Sequence, residues 1–458
     1  MKKFAKLMVL ALVVAALVAI FAIPSSATTG PVLYISNTGT GDGKTPQTPL
    51  GHGEGYVPNT GDYYLKNVML QALYKLQPTG GTIVIVGPVS LDTVSAKAGA
   101  VGEAGKTAAD LDVASNGTSS SDPDYNVRPT ITVTSNYGGV DYRLPENGGA
   151  KLILDHAASC VGNLRLKSPG VWRDLNIEYR YDLSWTSYYT NAAQGIYCTY
   201  MIQADHTKQV FDTGITCTSV EVKTDESGNK VEVPGTLYPT ILGGHRQGTR
   251  DGHNTDITVN SGTWRNVIAG GYGHSASKPG TVKGNAKVTI GGGKIETLSG
   301  SCSLERAYGT ITGTVDITVT GGEIGTVYLT NGETYTGPGI TLTVSDPAKF
   351  GAIYHSPIEG EILPECTVTV NGQPYVAPTD ETTAPAGTDA PASQSKPVTQ
   401  KPATTKAPTG TTAPVTTDDK KEEGSNLTLI IIIVVVAVVV IAAAVVVLLL
   451  IKKKKAAK

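Results

Sequence analysis

The sequence predicts an all-β protein built as a parallel β-helix, and three observations support this prediction. Three stretches align without gaps, beginning at Ile257, Val288 and Ile317, at intervals of about 30 residues. Apolar and polar residues alternate within each stretch, which is the pattern of a strand that is buried on one face. The chain also contains 53 Gly, and glycines follow each of these short strands where a corner is needed.

The alignment also predicts which residues lie next to each other in the stack. Ile257, Val288 and Ile317 form an aliphatic ladder inside, and the threonine that follows each of them points outward. Weaker copies begin at Tyr238 and Phe350. Repeats of about 30 residues are too short for a propeller blade, and an array of small β-sandwiches is the second choice. Stacked coils bury each repeat on the next one.

Composition excludes several other classes of protein. Aromatic residues make up 6% and charged residues 17%, which disfavours a helical bundle or a coiled coil. Five Cys are too few for a disulfide scaffold of this length. Every charged residue in 1–27 and 452–458 is a lysine, so the segment between them is net acidic. An acidic segment argues against nucleic acid as a partner.

The two ends of the chain predict its location. Residues 1–27 combine lysines, an apolar run and a small-residue site, as a cleaved signal peptide does. Residues 426–451 are apolar over a length that crosses a bilayer, and 452–458 form a lysine-rich tail that the positive-inside rule places in the cytoplasm. The sequence therefore predicts a single-pass protein of the cell membrane with the bulk of the chain outside the cell.

The remaining segments complete the predicted organisation. Residues 376–425 are rich in Thr and Pro and contain no Leu, Ile or aromatic residue, which predicts a disordered stalk. Residues 28–91 are expected to form an N-terminal cap with a helix and the first coil. Residues 92–375 are expected to form the other coils, with a loop insertion near 92–127.

The N-terminal segment resembles a known family. The stretch from Leu33, the helical stretch from Leu65 and the stretch TGGTIVIVGPVSL from Thr79 are similar to the start of pectate-lyase-superfamily proteins. VWRDLNIEY from Val171 and the repeats that end in Gly-Gly are similar to coils of surface β-helix proteins from Gram-positive gut bacteria. The resemblance implies a right-handed parallel β-helix with a capping helix. It does not imply one function, since the superfamily includes lyases, hydrolases, adhesins and tailspikes.

The loops that follow the second strand of successive coils are the first candidate site. Coils in register bring these loops to one edge, where charged and titratable side chains crowd together. The plain alternative is a row of solvated loops whose charges never converge. The candidate residues are His245, Arg246, Arg250, Asp251, His253, Asp256, Tyr272, His274, Glu305, Arg306 and Tyr308.

Catalysis at this edge is the second choice. A polysaccharide lyase would use Arg246 or Arg250 as the base and Ca²⁺ held by carboxylates, but only a few acidic residues, among them Asp251 and Asp256, are nearby. A glycoside hydrolase needs two carboxylates, and the motif set of polygalacturonases is incomplete. The catalytic candidates are Arg246, Arg250, Asp251, His253 and Asp256, and no cofactor is expected unless a lyase binds Ca²⁺.

A tyrosine-rich segment from Tyr179 to Tyr200 is the second candidate surface. Aromatic rings stack on sugars and are enriched at contact surfaces, so Tyr181, Trp185, Tyr188 and Tyr189 are candidate ligand contacts. The alternative is that these rings pack over the coil edge. The sequence thus favours a surface protein that binds an extracellular glycan or a host or cell-surface protein, with a passive envelope spacer as a further alternative.

Overall fold

The computed structural model describes residues 30–54, 66–92, 124–156, 163–183, 200–246, 250–273, 279–302, 309–329, 337–345, 350–354, 366–370 and 373–374. They all belong to the first of two compact units, Met1–Asp380. The predicted signal peptide, stalk, transmembrane helix and tail lie outside these residues, as does most of the predicted insertion. Within the described ranges, no helix combines the length and the apolarity of a membrane span.

Short strands and an α-helix form the first half of the described chain. In order they are β1 (Val32–Ile35), α1 (Val68–Leu76), β2 (Gly81–Ile85), β3 (Pro88–Asp92), β4 (Ile131–Thr134), β5 (Asn136–Tyr137), β6 (Val140–Asp141), β7 (Lys151–His156), β8 (Asn163–Arg165), β9 (Gly170–Arg173), β10 (Asn176–Tyr181) and β11 (Met201–Gln203). Two 3₁₀ turns lie at Tyr125–Val127 and Pro145–Asn147.

In the second half of the described chain, every secondary-structure element is a strand. In order they are β12 (Lys208–Phe211), β13 (Thr216–Thr224), β14 (Lys230–Pro234), β15 (Thr240–Leu242), β16 (Arg250–Asp251), β17 (Thr255–Val259), β18 (Thr263–Ile268), β19 (Val282–Lys283), β20 (Ala286–Ile290), β21 (Lys294–Ser299), β22 (Val315–Val319), β23 (Glu323–Tyr328), β24 (Ile340–Val344), β25 (Phe350–Tyr354), β26 (Cys366–Val370) and β27 (Gln373–Pro374).

Three sheets contain most of these strands. Sheet 1 has the order β1-β2-β4-β9-β12-β17-β20-β22-β24-β26-β27, sheet 2 the order β14-β13-β10-β7-β3, and sheet 3 the order β25-β23-β21-β18-β15-β11-β8. Neighbouring strands in them are parallel except at β13–β14 and β26–β27. Two short pairs, β16–β19 and β5–β6, lie apart. The described chain is therefore all-β with parallel sheets, as the sequence predicts.

The chain visits the sheets in a repeating order. It passes from sheet 1 to sheet 2 to sheet 3 in the strand triplets β4-β7-β8, β9-β10-β11 and β12-β13-β15. From β17 onward it passes from sheet 1 directly to sheet 3, because sheet 2 ends with the β13–β14 hairpin. A hydrogen bond of 3.0 Å from the Ile215 N–H to the Ser261 Oγ joins the two regions.

The register predicted from the repeats is confirmed. Ile257 pairs with Val288, and Val288 pairs with Ile317; the outward threonines that follow them pair in the same way. These three aliphatic side chains are no more than 1% exposed. Each side chain of this kind contributes about 1.5–3 kcal/mol when it leaves water, so the ladder is a main source of stability. The weaker copy from Phe350 also has the expected register, since Phe350 pairs with Ile324.

The predicted glycine corners between sheet 1 and sheet 3 repeat with one backbone conformation. Gly262, Gly293 and Gly322 have φ values of 91°, 88° and 88°. A Cβ at Gly322 would lie 2.9 Å from the Gly293 carbonyl oxygen of the adjacent coil. Both the positive φ and the close approach of the next coil therefore require glycine.

The predicted helix forms as α1. The Asn67 side chain caps it, because its Oδ1 accepts hydrogen bonds from the backbone N–H groups of Met69 (3.0 Å) and Leu70 (3.4 Å). Its Nδ2 donates to the Ser90 carbonyl oxygen at 2.8 Å, which ties the helix to β3. Sheet 3 begins only at β8, and α1 lines a cavity together with residues 165–170. The helix thus lies across this cavity from residues 165–170.

Candidate functional site

The described parts of the predicted loop row lie along one edge of the sheets. We define the return edge as the residues between each strand of sheet 3 and the next strand of sheet 1. Backbone N–H groups there continue the ladder from coil to coil: Ala204 donates to Leu242 (2.7 Å), Gly243 to Ile268 (2.8 Å) and Ala269 to Ser299 (2.9 Å). Segments that follow β11, β15, β18 and β21 are therefore stacked on each other.

Three of the predicted site residues are part of this ladder. The Tyr272 N–H donates to the His245 carbonyl oxygen at 3.2 Å, and the Arg246 N–H donates to the Gln203 Oε1 at 2.9 Å. His245 is 1%, Arg246 9% and Tyr272 0% exposed. Tyr272 also packs in an apolar cluster with Met201, Leu242 and Ile268. Their side chains lie inside the return edge, where they support its shape.

The other described candidates divide between two places. The backbone of Arg250 and Asp251 forms β16, which pairs with β19. The His253 Nδ1 lies 3.7 Å from the Asp124 Oδ1, so the ring can form an ion pair when it is protonated. Asp256 lies in β17 with an outward position between Lys208 and Lys287 on the adjacent strands. Asp256 therefore belongs to the outer face of sheet 1 instead of the return edge.

The tyrosine-rich segment is described only at its start and end. Tyr181 is 1% exposed, its ring stacks on Tyr179 with centroids 5.3 Å apart, and its hydroxyl accepts a hydrogen bond from the Thr236 N–H at 3.0 Å. These contacts place the Tyr181 ring in the core. The remaining predicted contacts lie outside the described residues, namely Trp185, Tyr188, Tyr189, His274, Glu305, Arg306 and Tyr308.

A buried ion pair that the sequence analysis does not predict lies at the start of the return edge. The Arg165 Nε is 2.6 Å from the Asp205 Oδ2, and the two side chains are 2% and 0% exposed. Arg165 ends β8, and Asp205 follows the strand of the next coil, β11, so the pair joins two coils. No repeated Gly-Gly marks these segments, which is why repeat comparison missed them. Such a pair is costly to break because one buried charge is left behind.

The backbone beside this pair has an unusual conformation. Asp205 and His206 have φ values of 49° and 64°, in the left-handed region that L residues rarely adopt. The turn is held from several sides: the His206 N–H donates to the Gly243 carbonyl oxygen at 2.9 Å, and the Asn126 Nδ2 donates to the His206 carbonyl oxygen at 2.7 Å. Left-handed backbone of this kind persists only where the surroundings over-determine it, and it is common at functional sites.

A second hydrogen-bond network connects the turn to the core. The Gln209 Nε2 donates to the Thr207 Oγ1 at 2.7 Å and to the Ser168 carbonyl oxygen at 2.7 Å, while its Oε1 accepts from the Trp172 Nε1 at 3.1 Å. Gln209 is 1% exposed and occupies an inward position of sheet 1. Because these groups are satisfied, the amide is tolerated among apolar side chains.

The Asn-Thr-Asp motif at Asn254, Thr255 and Asp256 forms part of an asparagine ladder. The Asn254 Oδ1 accepts from the Asn285 N–H at 2.8 Å, and the Asn285 Oδ1 accepts from the Thr314 N–H at 3.0 Å. The asparagines thus cap the backbone where the return edge enters sheet 1 in successive coils. Thr255 is buried, and its hydroxyl donates to the Ala269 carbonyl oxygen at 2.8 Å. The motif has a structural role in this corner.

Close packing at the return edge limits both the size of the side chains that fit there and the reactivity of a buried cysteine. A Cβ at Gly271 would lie 2.2 Å from the Gly280 carbonyl oxygen and 2.3 Å from that of His245. Cys302 is fully buried nearby, and its Sγ donates to the Gly280 carbonyl oxygen at 3.7 Å. Burial raises the pKa of the Cys302 thiol to about 12, so the thiol is protonated at neutral pH and is a poor nucleophile.

A small cavity of about 30 Å³, partly open to solvent, lies between α1 and the start of sheet 3. Its wall from α1 is formed by Leu70, Leu73, Tyr74 and Gln77. The opposite wall combines apolar and polar side chains, among them Arg165, Lys167, Trp172 and Gln209. The helix lacks the hydrogen-bonding edge that a further strand would offer to β8, which accounts for a partly polar space at this junction.

No three or more His, Cys, Asp or Glu side chains of the described ranges are grouped as a metal site would be. The described residues of the return edge form hydrogen bonds and an ion pair that hold neighbouring coils together. The chain matches no protein-family model, no curated protein and no solved structure.

Proposed function

We propose that this chain is a membrane-anchored bacterial surface protein whose right-handed parallel β-helix binds an extracellular glycan or a host or cell-surface protein. The repeating course through parallel sheets supports the architecture, because each coil adds one strand to sheet 1 and one to sheet 3. The ends of the sequence support the location, since they combine a signal-like segment and an apolar run followed by lysines. The resemblance to pectate-lyase-superfamily proteins supports the handedness.

The single observation that carries the binding proposal is the hydrogen-bonded ladder of the return edge. Parallel strands are ~4.8 Å apart, so successive coils hold the starts of their loops at a fixed, short spacing. The described residues 246 and 250, 273 and 279, and 302 and 309 flank the segments 247–249, 274–278 and 303–308. Loops on a rigid scaffold are common binding surfaces. The proposed contacts are His274, Glu305, Arg306 and Tyr308, while buried His245, Arg246 and Tyr272 hold the scaffold.

The test uses the full chain in lipid nanodiscs on an array of glycans and host extracellular proteins. Release of sugar products is assayed in parallel, with and without added Ca²⁺. The proposal predicts binding without turnover, and a Glu305→Ala/Arg306→Ala variant is expected to bind at least about tenfold more weakly if each residue makes one contact to the ligand. A Lys294→Ala/Glu323→Ala variant, which removes one charge of each sign from sheet 3, is the matched control and should bind normally.

Two results would replace this proposal. Turnover of a polysaccharide would indicate the lyase or hydrolase alternative, with Arg250, Asp251 and His253 as the next residues to vary. A folded protein that binds nothing on the array would indicate a passive spacer. The unfolding midpoint of each variant must match that of the parent chain, so that lost binding is not mistaken for lost structure.

A further inference from the structure

The outer face of sheet 1 carries a column of alternating charge. Lys208, Asp256, Lys287 and Asp316 occupy one register position on β12, β17, β20 and β22. Lys208, Lys287 and Asp316 are exposed and Asp256 is half-buried. Within the described part of the chain, no ion pair within 4.0 Å joins any two of these four side chains.

When this order of charges is reversed, each charge faces the opposite charge of the original order. Two copies that face each other with antiparallel stack axes, related by a two-fold axis along the strands, place Lys208 opposite Asp316 and Asp256 opposite Lys287. The pairing has two-fold symmetry, so all four positions meet an opposite charge. In a face-to-face arrangement with the same stack direction and no shift, like charges would meet. Like charges directly opposite each other are destabilising.

The charge column lies within an open part of the face. At the N-terminal end the outward residues Thr82 and Thr132 are 1% and 5% exposed, so β2 and β4 are covered. From β9 to β24 the outward column is half-buried or exposed, for example at Val171 and Thr343. This stretch has three strands on each side of the β17–β20 boundary. The two-fold axis that pairs the charges also superimposes these six strands on themselves.

The column beside the charges is suited to face-to-face contact. Val171, Val210, Thr258, Thr289 and Thr318 are aligned from β9 to β22, and all are β-branched. They present methyl groups on a parallel sheet, which can pack on a second sheet at a distance of ~10 Å. Six strands at ~4.8 Å and five residues at ~3.3 Å give about 450 Å² per copy. That area is at the low end for specific interfaces, so the contact is weak for a single pair.

We propose that the outer face of sheet 1, centred between Asp256 and Lys287, is a self-association surface on which a second copy of this chain docks with its stack axis antiparallel. The proposal concerns a different face from the return edge and does not depend on glycan binding. Antiparallel association also fits chains anchored at the same end in two opposed membranes. Many weak pairs between crowded surfaces would then act together through avidity.

The first test is zero-length carbodiimide cross-linking of the full chain in nanodiscs, with mass spectrometry of the joined peptides. A 1:1 mixture of isotopically labelled and unlabelled chains identifies links between copies. The diagnostic product joins Lys208 to Asp316, because within one chain these residues are three strand spacings apart, or ~14 Å. We expect a Lys208–Asp316 link between a labelled and an unlabelled chain. The proposal would be overturned if this link is absent at carbodiimide concentrations that do cross-link Asp256 to Lys287.

The second test swaps charges and measures association by light scattering. Asp256→Lys alone and Lys287→Asp alone each create like-charge contacts on both sides of the two-fold axis and are expected to weaken association at least about tenfold. The double variant Asp256→Lys/Lys287→Asp, and an equal mixture of the two single variants, should both recover it. A Lys294→Asp/Glu323→Lys swap on sheet 3 is the control and should leave association unchanged.

The alternation also reduces repulsion between strands within one chain. If that is its only role, the swaps will change the unfolding midpoint while association stays equal in every variant, or is absent in the parent chain as well. Failure of the mixture to recover association would likewise contradict the proposed geometry. Absence of glycan binding would not affect any of these results, so this proposal and the proposed function fail independently.

Discussion

Arg165 and Asp205 form an ion pair between two coils that is almost fully buried, with 2.6 Å between Nε and Oδ2. The pair lies next to the left-handed turn at Asp205 and His206 and beside the cavity under α1. It therefore joins the coil that contains β8 to the coil that contains β11. Removing this ion pair tests how much the stability of the fold depends on buried polar contacts, separately from the aliphatic ladder.

We expect Asp205→Asn to lower the free energy of unfolding by about 3–5 kcal/mol, because it leaves the buried Arg165 charge uncompensated. Asp141→Asn is the control, since it removes the partner of the more exposed Arg143 and should cost about 1 kcal/mol or less. Chemical denaturation of the full chain in nanodiscs measures both. Equal losses in the two variants would show that burial does not determine the cost of the Arg165–Asp205 pair.

Gly322 should not tolerate a side chain. Gly322→Ala places a Cβ at a φ of 88° and 2.9 Å from the Gly293 carbonyl oxygen, so we expect a loss of at least about 1 kcal/mol. Gly228→Ala is a close match, because its φ is 84° but nothing lies within 4 Å of the added Cβ. The difference between the two midpoints isolates the contact between coils, and no difference would contradict that contact.

The asparagine ladder can be tested at a single amide. Asn285→Ala removes the acceptor of the Thr314 N–H and should cost about 1 kcal/mol. Hydrogen exchange at Thr314 should become faster as well. Asn285→Asp keeps an acceptor oxygen at the same place and should protect this amide nearly as well as the parent residue does. Unchanged exchange in the alanine variant would mean that the bond does not protect Thr314.

The Cys302 thiol should resist alkylation in the folded protein. Its pKa is raised to about 12 by burial, and the thiolate is the reactive form. At pH 9 the thiolate fraction is then about a thousandth, against about half for an ordinary thiol. Iodoacetamide labelling followed by mass spectrometry should therefore modify Cys302 only after unfolding. Labelling at equal rates in folded and unfolded protein would contradict the burial of Cys302.

The same shift has a defined effect on stability at alkaline pH. The folded-state pKa is higher than the unfolded one, so its stabilising contribution is complete below about pH 9 and is lost as the pH rises toward 12. Cys302→Ala removes this contribution, and its free energy of unfolding should fall less over that range than that of the parent. The pKa of Cys217 is also raised to about 12 by burial. The variant Cys217→Ala therefore serves as the comparison for Cys302→Ala.

The repeated part of the fold was accessible from the sequence because local pattern and long-range contact coincide there. The pairing of Ile257 with Val288 and the corner at Gly322 follow from period-two alternation and glycine spacing. Sheet 2 was not foreseen, since its strands β7, β10 and β13 occur in coils of irregular length without the Gly-Gly signal. Its inward residues also include polar Ser219, which obscures the alternation.

Only the outline of the candidate site could be predicted from the sequence. The stacking of the return loops follows from coil register, and sequence reasoning placed them on one edge. Sequence reasoning did not distinguish His245, which is buried in the ladder, from exposed loop residues. A histidine in a glycine-rich segment has the same sequence pattern whether it is buried or exposed. The Arg165–Asp205 pair depends on residues forty positions apart. No local pattern indicates such a partner.

The hairpin β26–β27 has a consequence for how this protein responds to mechanical load. Each coil pairs only with its two neighbours, and tension applied at the carboxyl end of the described domain reaches β27 first, then β26 and β24. The hydrogen bonds of one coil would be loaded in sequence instead of together in shear. Under a steady pull the domain would peel coil by coil from that end, and it would lengthen gradually while its amino-terminal coils stay folded.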